Sequence, residues 1–382
     1  MDPVRWIWLA PSWPRLTFDA ARLARPLALA RQEAGTLFGK AAAIGLEEQA
    51  LLEREVWSHE AVATAAIEGE VIDLAAVRSS VARRLGLARQ GPVVSRNVEG
   101  LLDVMENAAD DWQQPLTRER LCAWQAALFP AASNLRNLVV GEYRSNAEPM
   151  QIVSGPHGRE IVHYQAVAGS AVRAEMHAFL EWFNRTAELD GLLRAGLAHV
   201  WFESIHPFDD GNGRIGRAIV DLALAQDARR SSRLLGVSAA MRHRQEAYYD
   251  ALNAAQRGDG EVTPWLECFL DTYTKACRTS AALIGEALAR ARFWTDHRAV
   301  PLNAMQRRVL GRMLDAGPGR FDGGLTARKY MSIAGTTKVT ASRHLADLLE
   351  KGLIVRAAGP GGRSTRYDLA LAGWEWRPTK RH

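Results

Sequence analysis

The window His206-Pro-Phe-Asp-Asp-Gly-Asn-Gly-Arg-Ile-Gly-Arg217 gathers more reactive side chains than any other stretch of the 382-residue chain. His206 is the side chain type best matched to taking a proton near neutral pH. Asp210 offers a hard oxygen of the kind that suits Mg2+ bridging phosphates. Gly211 and Gly213 flank Asn212 and precede Ile215, Ile219 and Leu222 at helical spacing, which reads as a loop entering a helix N-terminus. Free N–H groups at such a terminus, with the helix dipole, favour a phosphate. Arg214 and Arg217 are about one helical turn apart, so both guanidinium groups can reach the same side and clamp phosphate oxygens through paired hydrogen bonds. Phe208 differs from its neighbours; its expected role is to anchor the loop in the core.

Taken literally, Gly211, Gly213 and Gly216 also satisfy the dinucleotide-binding pattern G-x-G-x-x-G. That pattern needs a strand before the glycines and a βαβ unit around them. Here helical periodicity precedes them, and no strand-like run follows the next helix. Context rejects the dinucleotide fold. A lone histidine or an arginine pair is ordinarily structural, but a base, a carboxylate, two glycines, Asn and two arginines within one short window are hard to explain as packing.

The elements that position this window read as mainly helical. Leu192, Leu193, Leu197, Val200, Trp201 and Ile205 recur at three- and four-residue spacing, as do Met176, Phe179, Leu180 and Phe183. One segment departs from that period: residues 150–164 hold two short β-prone runs separated by Gly-Pro-His-Gly, a hairpin signal. Further on, three helices and two short strands around Gly359-Pro-Gly-Gly362 describe a winged helix-turn-helix over 302–372, after a boundary near 297–303.

Composition sets the outer limits. A 47% hydrophobic and 24% charged chain is ordinary for a folded protein and excludes collagen-like, mucin-like and largely disordered classes. No apolar run approaches the roughly 18 residues of a membrane span, and the N-terminus does not read as a signal peptide, so a cytoplasmic protein without a membrane partner is expected. Cys122, Cys268 and Cys277 are too few and too scattered for a disulfide framework or a zinc site. The net charge of +5 is uneven: residues 302–382 carry 15 basic and 6 acidic groups, leaving the body at −4. That asymmetry hints at anionic partners for the tail.

The window 206–217 resembles the Fic family motif, His-Pro-Phe-x-(Asp/Glu)-Gly-Asn-Gly-Arg-x-x-Arg, at every fixed position. The resemblance implies a Fic-type helical core over 101–296 with a β-hairpin flap at 150–164, plus the C-terminal winged helix-turn-helix domain. It also implies a reaction: AMP moves from ATP to a Ser, Thr or Tyr hydroxyl of a protein target, the chain itself included, and pyrophosphate leaves. His206 would deprotonate that hydroxyl and Asp210 would hold Mg2+. Gly211, Asn212 and Gly213 would form the anion hole, within an ATP-binding run that continues through Arg214, Ile215, Gly216 and Arg217. Gln151, Ile152, Val153 and Ser154 resemble the flap strand that covers the nucleotide and pairs with the target segment; an ordinary surface hairpin is the plainer alternative. Tyr248, Tyr249 and Gln256 resemble the region enclosing the adenine, although a Tyr pair on a helix is more often core.

Upstream, Thr64-Ala-Ala-Ile-Glu68-Gly69 resembles the family's inhibitory motif, (Ser/Thr)-x-x-x-Glu-(Gly/Asn), within an N-terminal helical region over 1–100. By that resemblance Glu68 pairs with Arg217 and occupies the guanidinium that would hold the γ-phosphate. Competing readings stay open. One is a DNA-binding regulator whose Fic core is secondary, with Lys338, Arg343 and His344 on the recognition helix and Arg356, Arg363 and Arg366 around the wing. Val339, Leu345 and Leu348 are then expected to face inward. The others are a docking role for the winged helix, a homodimer, removal of AMP instead of its addition, and transfer of another nucleotide.

Overall fold

The computed structural model describes residues 6–89, 95–130, 138–146, 149–154, 161–185, 189–357 and 365–376. After a short 3-10 turn at Ile7–Leu9 come α1 (Ala20–Ala42), α2 (Leu46–Ile67), α3 (Leu74–Arg84), α4 (Arg96–Asp110) and α5 (Arg118–Leu128). A hairpin follows, β1 (Gln151–Ser154) and β2 (Ile161–Gln165). Then come α6 (Gly169–Arg185), α7 (Gly191–Ile205), α8 (Asn212–Ala228), α9 (Val237–His243), α10 (Gln245–Gln256) and α11 (Thr263–Asp296). The chain ends with α12 (Ala304–Ala316), α13 (Ala327–Ala334), α14 (Lys338–Glu350), β3 (Ile354–Arg356) and β4 (Tyr367–Leu369).

The chain divides into two units, Met1–Ala281 and Ala282–His382. In the first, α7 is the centre. Its sequence is apolar on nearly every side, and a helix of that kind has to be buried. Every residue of α7 except Arg194 is buried. α8 packs along it with Ile215, Ile219, Leu222 and Ala223 turned inward. Asp190 caps α7 by accepting from Leu192 and Leu193 N–H, which fixes where the helix starts.

The hairpin is antiparallel, with Gln151 opposite Gln165, Ile152 opposite Tyr164, and a register irregularity after Ile152. Its base is held from several sides. Tyr164 is buried against Trp6 at 5.4 Å between ring centroids, and its hydroxyl donates to Ser204 O at 2.7 Å. Trp8 Nε1 donates to Gln165 O at 2.8 Å, and the Arg257 guanidinium donates to the carbonyls of Val162 and His163. The turn of this hairpin, 155–160, lies outside the described residues.

The second unit has its own apolar core, including Phe293, Val309, Leu310, Tyr330, Leu345, Leu348 and Leu369. Phe293 belongs to the end of α11, so the division falls inside that helix and not at 297–303 as its sequence suggested. Three helices lead to the antiparallel pair β3–β4, with Ile354 opposite Leu369, and Leu325 bridges to Tyr367. Arg363 and the Gly359–Gly362 loop lie outside the described residues.

Two expectations for α14 are corrected. Val339 is 81% exposed instead of inward-facing. The buried stripe of α14 is Ala341, Leu345 and Leu348, and Val339, two residues before Ala341, lies on nearly the opposite side of the helix. His344 is not a surface cation: it is buried, with Nδ1 2.8 Å from the Tyr330 hydroxyl and Nε2 3.3 Å from Asn303 Nδ2. Among the described residues all three cysteines are free, and no helix is long and apolar enough to cross a membrane.

Candidate active site

The site forms where α7 ends and α8 begins. His206 is the C-cap of α7 in the left-handed region, φ 53° and ψ 61°, an uncommon conformation that histidine tolerates better than most residues. A buried Arg144 fixes that ending. Its Nε donates to His206 O at 2.7 Å and its Nη2 to Ile205 O and Val167 O, while its own N–H donates to Pro207 O at 2.9 Å. These bonds satisfy carbonyls that the terminated helix leaves open. Phe208 is fully buried against Tyr143, as expected of an anchor.

The loop is then shaped by Asn212. Its Oδ1 accepts from Phe208 N–H at 2.9 Å and its Nδ2 donates to Phe208 O at 2.7 Å. The Asn212 side chain thus clamps the loop from inside, where it is 2% exposed. Gly211 takes φ 89°, and a Cβ there would press on the Phe129 ring and Leu128 at 3.0 and 3.2 Å. Glycine is required on both counts. α8 starts without a side-chain cap, so its first-turn N–H groups are offered to the loop side. Ile215 and Gly216 turn the other way, into the α7–α8 packing, and Ile215 is fully buried.

Both arginines are buried and both are engaged by the end of α2 and the residues after it. Arg217 donates from Nε to Thr64 Oγ1 at 2.7 Å, and from Nη2 to Thr64 O at 3.0 Å and Glu68 Oε1 at 2.8 Å. Thr64 and Glu68 are one turn apart on α2, so a single face of that helix supplies all three contacts. Glu68 is the C-cap of α2, and Gly69 turns the chain away with φ 79°. Arg214 donates from Nη1 to Glu70 Oε1 at 2.8 Å, lies over the Phe129 ring, and is 3.7 Å from Asp210 Oδ1. The Glu68 carboxylate also sits directly on Gly213, where any Cβ would collide with Oε1.

Charge and burial set the protonation states. Burial opposes the charge of Glu68, but Arg217 outweighs it, with Arg214 and His206 assisting, and its pKa falls below the ordinary value. Burial likewise works against Arg217, and Glu68 reverses it. His206 is pushed down to about 4, first by burial and then by the charge of Arg144, so the imidazole is neutral. Asp210 has its side chain about half exposed and accepts from Gly211 N–H at 2.6 Å.

The remaining sequence-derived candidates are placed unequally. Tyr248 is 4% exposed with its hydroxyl 2.8 Å from His199 Nε2, so it serves the core. Tyr249 is half-buried and donates to Ile67 O at 3.3 Å, against the last turn of α2. Gln256 is buried, and its Nε2 has no hydrogen-bond partner among the described residues. On the hairpin, Gln151 and Val153 face solvent and Ile152 packs inward; only the backbone of Ser154 is described. Sequence reasoning gave no role to Arg144, Glu70 or Glu203. For Glu203 a signal was available: it is a lone carboxylate in the otherwise apolar run that ends α7, three residues before His206.

A Fic/DOC family model matches residues 115–224, and a domain of unknown function (DUF4172) matches residues 6–87. The matched stretch holds α7, His206 and both arginines of α8. Residues 115–224 thus form a Fic domain. The chain is 35% identical over 83 positions to a probable protein adenylyltransferase of Aquifex aeolicus, covering 22% of this chain and 23% of that protein. It is 29% identical over 125 positions to protein adenylyltransferase fic-1 of Caenorhabditis elegans, covering 31% of this chain and 23% of the relative. The chain therefore spans about a quarter of the length of these curated relatives. Its fold is similar to a Fic family protein of Desulfovibrio desulfuricans G20, with TM-score 0.53 and 24% identity over 92% of this chain and 96% of that one.

Proposed function

We propose that this Fic protein transfers AMP from ATP to a Ser, Thr or Tyr hydroxyl of a protein, and that Glu68 restrains the reaction. One observation supports the reading above the others: a carboxylate already rests on the arginine and the helix start that an anion would use, with Glu68 Oε1 2.8 Å from Arg217 and in contact with Gly213. Elements that hold a carboxylate this way will hold a phosphate by the same charge-assisted hydrogen bonds.

In this reading His206, kept neutral by burial and by Arg144, accepts the proton of the target hydroxyl at Nε2. The freed oxygen bonds to the α-phosphorus as the bond to the leaving pyrophosphate breaks. Arg214 and Arg217 hold the outer phosphates, and the first N–H groups of α8 face the inner ones. Asp210 fits magnesium as a half-exposed hard oxygen at the edge of this cradle, where the remaining ligands would be phosphates and water. The ion would neutralise phosphate charge. Tyr249, being half-buried where Tyr248 is buried, is the ring offered to the adenine side. The hairpin offers main-chain groups to an extended target segment.

Glu68 and the γ-phosphate compete for the same guanidinium, so Glu68→Gly is expected to raise AMP transfer more than tenfold, a barrier change of about 1.4 kcal/mol or more. The test uses ATP labelled at the α- or the γ-position, with the wild-type and Glu68→Gly proteins. Label carried to protein from the α-position alone is the expected result. Label carried only from the γ-position would replace the AMP reading with kinase-like chemistry.

A further inference from the structure

Beneath the imidazole lies a second carboxylate. Glu203, in the last turn of α7, has a side chain only 7% exposed, and its Oε2 is 3.7 Å from His206 Nδ1. Its Oε1 makes no hydrogen bond among the described residues, and neither does His206 Nδ1. The Glu203 backbone carbonyl also faces the ring, but on the side chain the facing pair is His206 Nδ1 and Glu203 Oε2, and a buried Nδ1 left unsatisfied is costly. A closure of under about 1 Å would join them, and bonds of this kind are often long before a substrate arrives. Oε1 meanwhile rests against Gly216, where a Cβ would collide with it. The glycine of α8 makes room for the carboxylate to lie under the histidine.

We infer that Glu203 is a positioning residue for the base, accepting from the Nδ1–H of His206 so that Nε2 is presented without a proton. The inference rests on the AMP-transfer reading for its role in turnover. Only the Nδ1–H tautomer leaves Nε2 free to take the hydroxyl proton, and an acceptor at Nδ1 selects that tautomer. The groups facing Glu203 are His199 and His206 from α7 and its cap, Arg217 from α8, Tyr248 and Tyr249 from α10, and Glu68 from α2. Burial first and the charge of Glu68 second push Glu203 up to about 8, while Arg217 pulls it down. With Glu68 in place Glu203 is mostly protonated at neutral pH, and its hydroxyl can donate to Nδ1, which favours the opposite tautomer. Removing Glu68 leaves the pull of Arg217 unopposed by that charge, so Glu203 ionises at lower pH. Glu68 thus acts on the base as well as on the phosphate-binding arginine.

The test follows the two ring nitrogens of His206 by 15N NMR in the full, nucleotide-free chain between pH 6 and 9. In the wild type the Nδ1–H form should grow as pH rises through about 8, and in Glu68→Gly it should already dominate at lower pH. Glu203→Gln, which keeps the shape but cannot ionise, should abolish that pH dependence. In the Glu68→Gly background Glu203→Gln should lower kcat at least tenfold with the ATP KM within threefold. A wild-type tautomer ratio that stays constant across this range overturns the inference without any variant. So does a Glu203→Gln protein that loses kcat with an unchanged tautomer, or one that changes tautomer with an unchanged kcat. If Glu68→Gly itself transfers no AMP, the functional reading fails while the tautomer measurement still judges Glu203.

Discussion

Two short helix junctions in this chain carry basic residues, and they treat charge in opposite ways. Between α7 and α8 the ionisable groups are inside. Arg214 and Arg217 are buried, as are Glu203 and much of His206, and their partners Glu68 and Glu70 arrive from a distant part of the sequence. Between α13 and α14 the cations stay outside. Lys338 and Arg343 are exposed, and neither has an ion pair among the described residues. The histidine between these faces, His344, is buried and engaged with Tyr330 and Asn303. Burying a charge is expensive unless something is gained by it, whereas a solvated lysine costs little. A basic tail is thus a statement about surface, and a buried arginine pair is a statement about a site.

That contrast can be broken most sharply at His206. His206→Ala should lower AMP transfer by about two to four orders of magnitude in the Glu68→Gly background, the range of a lost general base. Activity within threefold of the parent would mean that the first junction is packing after all. A smaller effect is expected from Gly216→Ala, whose Cβ has no room beside Glu203 and His199. Overpacking of this kind costs about 1–3 kcal/mol, visible as a lower denaturation midpoint. The smallest effect belongs to the other junction. Arg343→Glu should change stability by less than about 0.5 kcal/mol and leave AMP transfer unaltered, as for a solvated face. A loss comparable to that of Gly216→Ala would show that α14 also carries a built contact.

The parts of this molecule that could be read in the sequence are those whose partners are near in sequence. His206 to Arg217 lie within one turn and one helix start, so residue types and spacing were enough to outline the loop, the helix start and the arginine pair of the candidate site. The α7 and α8 periodicity and the two β-prone runs were legible for the same reason. The pairing of Glu68 with Arg217 spans 149 positions, and no local pattern announces it; only the resemblance to the family pointed there. Arg144 was hidden more deeply, because its work is done on the carbonyls of Ile205, His206 and Val167, which have no signature in side chain types. On α14 the helix was legible and its phase was not. Val339 looked like one more core residue, and Tyr330 on the neighbouring helix decided that His344 would go inside.

The position of Glu68 at the end of α2 has a mechanical consequence. The body of that helix is sunk through Val56, Trp57, Ala61 and Ala65, and Glu60 holds it in place by accepting from Ser238 and Ala239 N–H at 2.5 and 2.9 Å. Its final residue is a cap followed by a glycine bend, and helix ends fray far more readily than helix middles. Lifting the Glu68 carboxylate off Arg217 therefore asks only that the cap and its bend shift, while Thr64 keeps its two bonds to that guanidinium and the rest of the rod stays docked: a latch at the tip, on a beam that never has to move.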